Sequence, residues 1–196
     1  HAYREVITAH LKGKEKIPAI PTTPATQALP PIQFTEQAPL ADLLKNPVTR
    51  EQPTYMEALG QDYGFVLYRH VPEKAAQDVL DLDDARDFVT VWHQGQRLGS
   101  LDRRLKQRSL DVKLSAGEPL DVLVEAMGRI NFAAKMPEER KGLVNPVTLN
   151  GRPLKNWQIF NLPMTDLSSL KFSQAPVNGP VFYRARFTVK DQISTF

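Results

Sequence analysis

The chain has 196 residues, 41% of them hydrophobic, and a mean hydropathy of −0.37, which allows one large domain or two small ones with a buried core. It contains no cysteine, so disulfides and thiolate metal sites are excluded. The net charge of +3 and pI near 9.1 invite a nucleic-acid reading. The distribution of charge removes it, because Asp102 and Asp111 bracket the basic cluster Arg103, Arg104, Lys106 and Arg108, and no aromatic lies between Trp92 and Phe132 to stack bases.

No stretch approaches the roughly 18 apolar residues of a membrane span. The first residues, from His1 to Glu5, lack the charged start and apolar centre of a signal peptide. The chain begins without Met and reads as the middle of a longer polypeptide. Its compartment is open between a reducing cytosol and a bacterial periplasm that does without bridges, a periplasmic or secreted setting being the expectation.

In chain order, Tyr3, Val6, Ile7 and Leu11 fall on one helical stripe and predict a helix over 1–12. Pro18, Pro21, Pro24, Pro30 and Pro31 then demand an extended connector, whose far end, Ile32-Gln33-Phe34, could add one strand. Thr54-Tyr55-Met56-Glu57 has capping-box spacing and Gly60 supplies a stop, so one short helical turn is expected there. Beyond it the period becomes two. Phe65-Val66-Leu67-Tyr68 and the run from Phe88 to His93 read as strands. Gln94-Gly95 turns the latter into a hairpin with the run from Arg97 to Leu101. Leu110, Val112 and Leu114 alternate with charged residues, Val122-Leu123-Val124 follows Gly117 and Pro119, and Tyr183, Ala185, Phe187 and Val189 alternate late in the chain. Short strands with turn residues between them predict an all-β fold, a β-sandwich or jelly roll, and argue against a parallel α/β sheet. Two units are expected, with a break near Lys141 to Pro146.

Asp78, Asp81, Asp83, Asp84 and Asp87 form the sharpest acidic cluster. As a calcium loop starting at Asp81 it fails, since Ala85 and Arg86 occupy ligand and glycine positions. An acidic loop leading into a strand is the simpler account. The four histidines, His1, His10, His70 and His93, are dispersed without ligand spacing. Gly99-Ser100-Leu101 lacks the glycines of a nucleophile elbow, and no phosphate loop is present. No cofactor or metal is expected. The acidic residues lie mostly in turns and at strand ends, where solvation explains them better than a facing catalytic pair does.

Specific phrases say more than periodicity. The run from Leu59 through Tyr63-Gly64-Phe65 to Arg69 resembles the start of the β region that follows the barrel in glycoside hydrolase family 35 β-galactosidases. Ala85-Arg86-Asp87 through Leu98-Gly99, Leu120 through Met127-Gly128-Arg129 to Phe132, Lys141-Gly142-Leu143, and Pro146 to Gly151 follow in that family's order. Trp157 to Pro163 and Pro180 to Arg184 extend the match. The resemblance implies a galactose-binding-like jelly roll cut from a retaining exo-β-galactosidase, whose two glutamates lie on a (β/α)8 barrel of about 250 residues. No catalytic residue can be carried over, and the chain alone is expected to be inactive. Residues 1–16 would be the end of the barrel's last helix and 17–53 a linker with one strand at about 32–36. Residues 54–145 would form a first jelly roll, and 146–196 an incomplete, marginally stable second one. The first would be inserted into the second, closed by pairing Ile32-Gln33-Phe34 with Val147-Thr148-Leu149.

The implied partners are the parent's catalytic barrel and, through it, a galactoside; self-association is also allowed. The loop after Gly128 is implied to approach the barrel mouth, which makes Arg129, Asn131 and Phe132 the substrate-proximal residues. Arg129 is expected to pair with a nearby carboxylate such as Glu125, and Phe132 either plugs the sandwich or borders a galactose ring. The family's usual Asn-Tyr-Gly is Asn131-Phe132-Ala133 here, which removes a tyrosine hydroxyl. The usual Asn-Gly or Asp-Gly turn is Gln94-Gly95, a weaker type I′ former. An autonomous carbohydrate-binding module is the alternative. It would need an exposed aromatic platform, whereas Trp92 and Trp157 lie in apolar runs where burial is expected. A protein-interaction module, using the open edges of a truncated sandwich, is a third reading.

Overall fold

The computed structural model describes residues 2–11, 16–20 and 28–189. His1, Pro21, Pro24 and Lys12, the last residue of the predicted helix, lie outside the described residues. The described residues fall into two units, the smaller comprising those within 1–33 and 186–196 and the larger 34–185.

The smaller unit holds one helix, α1 (Ala2–His10), which carries the expected stripe; Tyr3, Val6 and Ile7 are all exposed. The larger unit holds every strand among the described residues. The first three are β1 (Glu36–Pro39), β2 (Val48–Arg50) and β3 (Phe65–His70). β4 (Ala76–Asp81), β5 (Phe88–His93), β6 (Gln96–Asp102), β7 (Ser109–Leu114) and β8 (Leu120–Glu125) come next. β9 (Thr148–Leu149), β10 (Arg152–Pro153), β11 (Trp157–Leu162) and β12 (Val181–Arg184) complete the set.

All pairings are antiparallel. One sheet has the order β2-β11-β3-β8-β5-β6, a second β10-β9-β4-β7, and β1 pairs with β12 alone. Alternation decides what each strand buries. Val66 and Tyr68, Val89 and Val91, Val122 and Val124, and Trp157 and Ile159 point from the six-stranded sheet into one core with Leu80, Val112 and Leu114 of the four-stranded sheet. This is a β-sandwich, and each such fully buried aliphatic side chain contributes about 1.5–3 kcal/mol of transfer free energy. The other face of the larger sheet is covered at its centre. Leu67, Phe160 and Leu162 pack with Leu40 from a 3-10 turn at Leu40–Leu43 and with Phe182. Central strands buried on both faces account for the unbroken apolar runs at Phe65–Tyr68 and Ile159–Phe160.

Six expectations are corrected. The strand foreseen at 32–36 begins at Glu36. Its partner is β12, with Glu36 and Arg184 joined by a two-fold ion pair at 2.8 and 3.0 Å and Phe34 against Tyr183 at 5.9 Å. Val147-Thr148-Leu149 does not pair with Ile32-Gln33-Phe34: Leu149 and Thr148 lie against Leu80 and Asp81 of β4. The sandwich therefore runs past 145 and takes in β9 to β11, because the central place between β2 and β3 is filled only by Trp157–Leu162. The capping box does not form. Tyr55 is the N-cap without a side-chain bond, and Glu57 reaches across the fold instead, while Gly60 ends the 3-10 turn at φ 71° as expected. The late alternation is strand only over Val181–Arg184. Residues 76–81, read above as an acidic approach, form β4. Its Asp78 and Asp81 disfavour a strand locally, and pairing along β7 and burial of Leu80 override that preference.

Candidate functional site

The six-stranded sheet ends at Glu125, and Gly128 at φ 118° turns the chain into a long loop that returns at Lys141. The loop exposes apolar side chains. Phe132 is 93% exposed, and Met127, Ile130 and Met136 are each more than 40% exposed. An open cleft of about 490 Å³ lies at its base, between Gly128, Arg129 and Ile130 on one side and Asp87, Arg103 and Lys141 on the other.

Both roots of the loop are tied down by charge. The Lys141 ammonium, 3% exposed, donates to Asp87 Oδ2 at 2.6 Å and stands 3.0 Å from Glu139 Oε1. Asp87 Oδ2 also accepts from the Met127 N–H at 3.1 Å, and Asp87 Oδ1 accepts from Arg103 at 3.1 Å. Glu139 Oε2 accepts from the Ile130 N–H at 2.8 Å. Burial alone would raise the Glu139 carboxyl. The Lys141 ammonium, the Ile130 N–H and the nearby Arg129 outweigh that and hold it below the usual carboxylate range.

One level further out, Arg129 pairs with Glu57 at 2.5 Å and donates twice to the Asp62 carbonyl, at 2.9 and 2.7 Å. The other Glu57 oxygen accepts from the Lys141 N–H at 3.1 Å. Below the loop, the Tyr68 hydroxyl donates to the Thr54 carbonyl at 2.8 Å and accepts from the Leu143 N–H at 3.2 Å. Its burial pushes the phenol well above its ordinary range.

The expected site residues are thus brought to one loop. Arg129 braces it as foreseen, with Glu57 rather than Glu125 as partner, because Glu57 was freed from its helix cap. Phe132 does not plug the sandwich; it projects from the surface. Asn131 is exposed beside it. Lys141 went unread as a site residue, since it stood in the sequence only as part of Lys-Gly-Leu.

The acidic cluster proves to be the partner of the basic one. Asp84 pairs with Arg86 and Arg103, Asp83 with Arg108 at 3.9 Å and with Asn145 at 3.0 Å, and Asp102 with Arg104 at 2.6 Å. Among the described residues no group of three or more His, Asp or Glu is placed to hold a metal ion. His93 is buried and holds both ends of the loop between β7 and β8: the Ser115 N–H donates to Nε2 at 2.9 Å, so Nδ1 donates to the Pro119 carbonyl at 3.0 Å. His70 lies on Trp157 at 5.4 Å, and His10 bonds its own helix at the Val6 carbonyl. Trp157 is fully buried. Trp92 is half-buried with its N–H on Thr90, so neither offers an open platform. Among the described residues no helix is long and apolar enough to cross a membrane. The carboxylates at the loop base all accept from cations or backbone N–H groups, which makes the arrangement a brace.

Comparison with known proteins shows the family of this region. Residues 53–163 match the family described as the first all-beta domain of β-galactosidase, a span that ends with β11. A β-galactosidase of Xanthomonas manihotis is 40% identical over 181 residues, which is 91% of this chain and 30% of that protein. A β-galactosidase of Bos taurus is 33% identical, over 84% of this chain and 26% of its own length. The β-galactosidase-1-like protein 3 of Homo sapiens is 31% identical, over 85% and 27%. The chain spans under a third of the length of these curated relatives. Its sandwich and its ordered phrases place it in the β-galactosidase family, as an accessory all-beta region built on that family's first all-beta domain.

Proposed function

We propose that this chain braces the catalytic part of a β-galactosidase and presents the Phe132 loop to that part's active site. The parent would remove terminal non-reducing β-D-galactosyl residues by a retaining mechanism, with two glutamates outside this chain as acid and nucleophile. The observation that carries the reading is Phe132. A phenylalanine 93% exposed on a loop anchored at both roots, with Met127, Ile130 and Met136 exposed around it, is an apolar patch that needs a cover. The relatives are more than three times longer than the matched region, so the same polypeptide can supply one. A phenyl ring at the rim can border the apolar face of galactose. Arg129 and Asn131 flank it, Arg129 as its brace.

The domain plan we propose follows the sheets. A sandwich over about residues 48–162 is inserted between β1 and β12, which would open a second sandwich, and 17–35 is the linker. The antiparallel β1–β12 pair supports this, because it brings the two flanks of the insert together.

The test is Phe132→Ala in the full-length protein. kcat/KM for β-galactosides should fall while the melting temperature stays nearly constant. A large loss of melting temperature with the kinetics of the folded fraction intact would refute the reading. This chain by itself should show no turnover of a chromogenic β-galactoside; activity that survives removal of contaminating enzyme would refute the accessory role.

A further inference from the structure

We infer that Lys141 is a positioning residue: its buried ammonium latches the two roots of the loop over residues 128–140 and so fixes where Phe132 stands. The inference rests on the reading that this loop faces the parent's active site.

A buried ion pair is weak evidence of stability, because well-packed apolar residues of similar volume often do as well or better. The triad of Lys141, Asp87 and Glu139 does something that apolar residues cannot. Each carboxylate, held by the ammonium with one oxygen, also accepts a backbone N–H from the start of the loop. Asp87 takes Met127 N–H at 3.1 Å and Glu139 takes Ile130 N–H at 2.8 Å. Glu139 and Lys141 themselves form the loop's return. The ammonium thus joins the outgoing and returning limbs at two points, 2.6 Å from Asp87 and 3.0 Å from Glu139.

The charges close as well. Lys141 and Arg103 face Asp87 and Glu139, with Arg103 3.1 Å from Asp87, so the cluster is neutral and the buried carboxylates are compensated. The Lys141 backbone is also held, its N–H by Glu57 and its carbonyl by the Met56 N–H at 2.8 Å. Only the distal part, with Phe132, projects away from these bonds. Without the ammonium, Asp87 keeps Arg103 and Glu139 keeps the nearby Arg129, but nothing joins the two carboxylates, which repel and loosen their hold on the N–H groups they accepted.

The experiment uses the full-length protein with Lys141→Met, Glu139→Gln, Phe132→Ala and the double variant Lys141→Met/Phe132→Ala. Hydrogen exchange should speed up roughly tenfold or more over residues 127–140 in Lys141→Met, with β3, β8 and β11 unchanged. Glu139→Gln, which keeps the Lys141–Asp87 pair, should show the same local pattern more weakly, and serves if Lys141→Met does not fold. kcat/KM should fall in Lys141→Met, and the double variant should be no worse than the poorer single variant, since the latch acts through Phe132. Exchange that rises uniformly across the sandwich, or not at all, overturns the latch whatever the kinetics. Strictly additive kinetic losses overturn positioning through Phe132. Local loosening with kinetics untouched in every variant, Phe132→Ala included, leaves the latch and overturns the reading that the loop faces the active site.

Discussion

Gly142 offers a test of how tightly the loop's return is built. It has φ +90°, a region that costs a residue with a Cβ about 1–2 kcal/mol. A methyl group there would also fall inside van der Waals contact of the Tyr68 hydroxyl oxygen, while its next neighbours on Met56 lie at an ordinary 3.4 Å. Gly142→Ala should therefore cost about 3–5 kcal/mol, the strain and the clash together. Tyr68→Phe keeps the ring but leaves the Thr54 carbonyl and the Leu143 N–H without their partner. That is worth about 2–4 kcal/mol, or roughly 5–15 °C of melting temperature in a chain of this size. The two changes meet at one oxygen. Once the hydroxyl is gone, the methyl has room and only the backbone strain remains, so the double variant should be less destabilised than the sum by about 2–3 kcal/mol. Urea denaturation at 25 °C, monitored by tryptophan fluorescence, measures all four corners of the cycle. Additivity within about 0.5 kcal/mol would show that the hydroxyl does not set the space available at residue 142.

Three further outcomes are expected. In the two-residue turn of β5 and β6, Gln94 stands at φ 51° and Gly95 at φ 73°, so Gln94→Asn should raise stability by about 0.5 kcal/mol in thermal melts, and no gain would count against the type I′ assignment. Gly95→Ala should lower stability, since its Cβ would press on Asn178 Cβ at 3.1 Å in addition to the backbone strain; melts unchanged from the parent sequence would show the turn yields. Burial holds the His70 imidazole below its ordinary value, so the unfolded chain takes up the proton first. The contribution of His70 is whole above about pH 6.5 and is lost as pH falls through the lower folded value, so His70→Gln should flatten stability between pH 7 and 5, and an unchanged slope would exclude His70 as the source.

Much of the sandwich could be read directly from residue order. Phe65–His70, Phe88–His93, Ser109–Leu114 and Leu120–Glu125 alternate or run apolar in β-branched and aromatic residues, and the pleat has no other use for such a pattern. β1 and β4 could not be read. Glu-Gln-Ala-Pro and Ala-Gln-Asp-Val-Leu-Asp have no strand preference of their own and are ordered by β12 and β7. The site divided in the same way. Gly128 announces a turn locally, and the family phrase pointed to Phe132. Lys141 could not be picked out, because its partner Asp87 lies 54 positions away and nothing near 141 in the sequence shows that the ammonium is buried. Likewise Asp83 and Asp84 looked like a solvated loop until the fold brought Arg103 and Arg108 to them.

The place of β11 has a consequence for synthesis. β2 and β3 are successive in the chain, yet β11 lies between them in the larger sheet. When Glu125 has left the ribosome, β3 can already pair with β8, but the edge it presents to β11 stays open and the inward-facing Trp157 and Ile159 are still unmade. About 37 residues, from Glu125 to Leu162, must follow. At roughly 5–20 residues per second that leaves an unpaired, apolar strand edge exposed for about 2–7 s in each round of translation. The nascent chain passes through its most adhesive state late, after most of its strands exist, and a chaperone that shields extended edges would find its substrate in that interval.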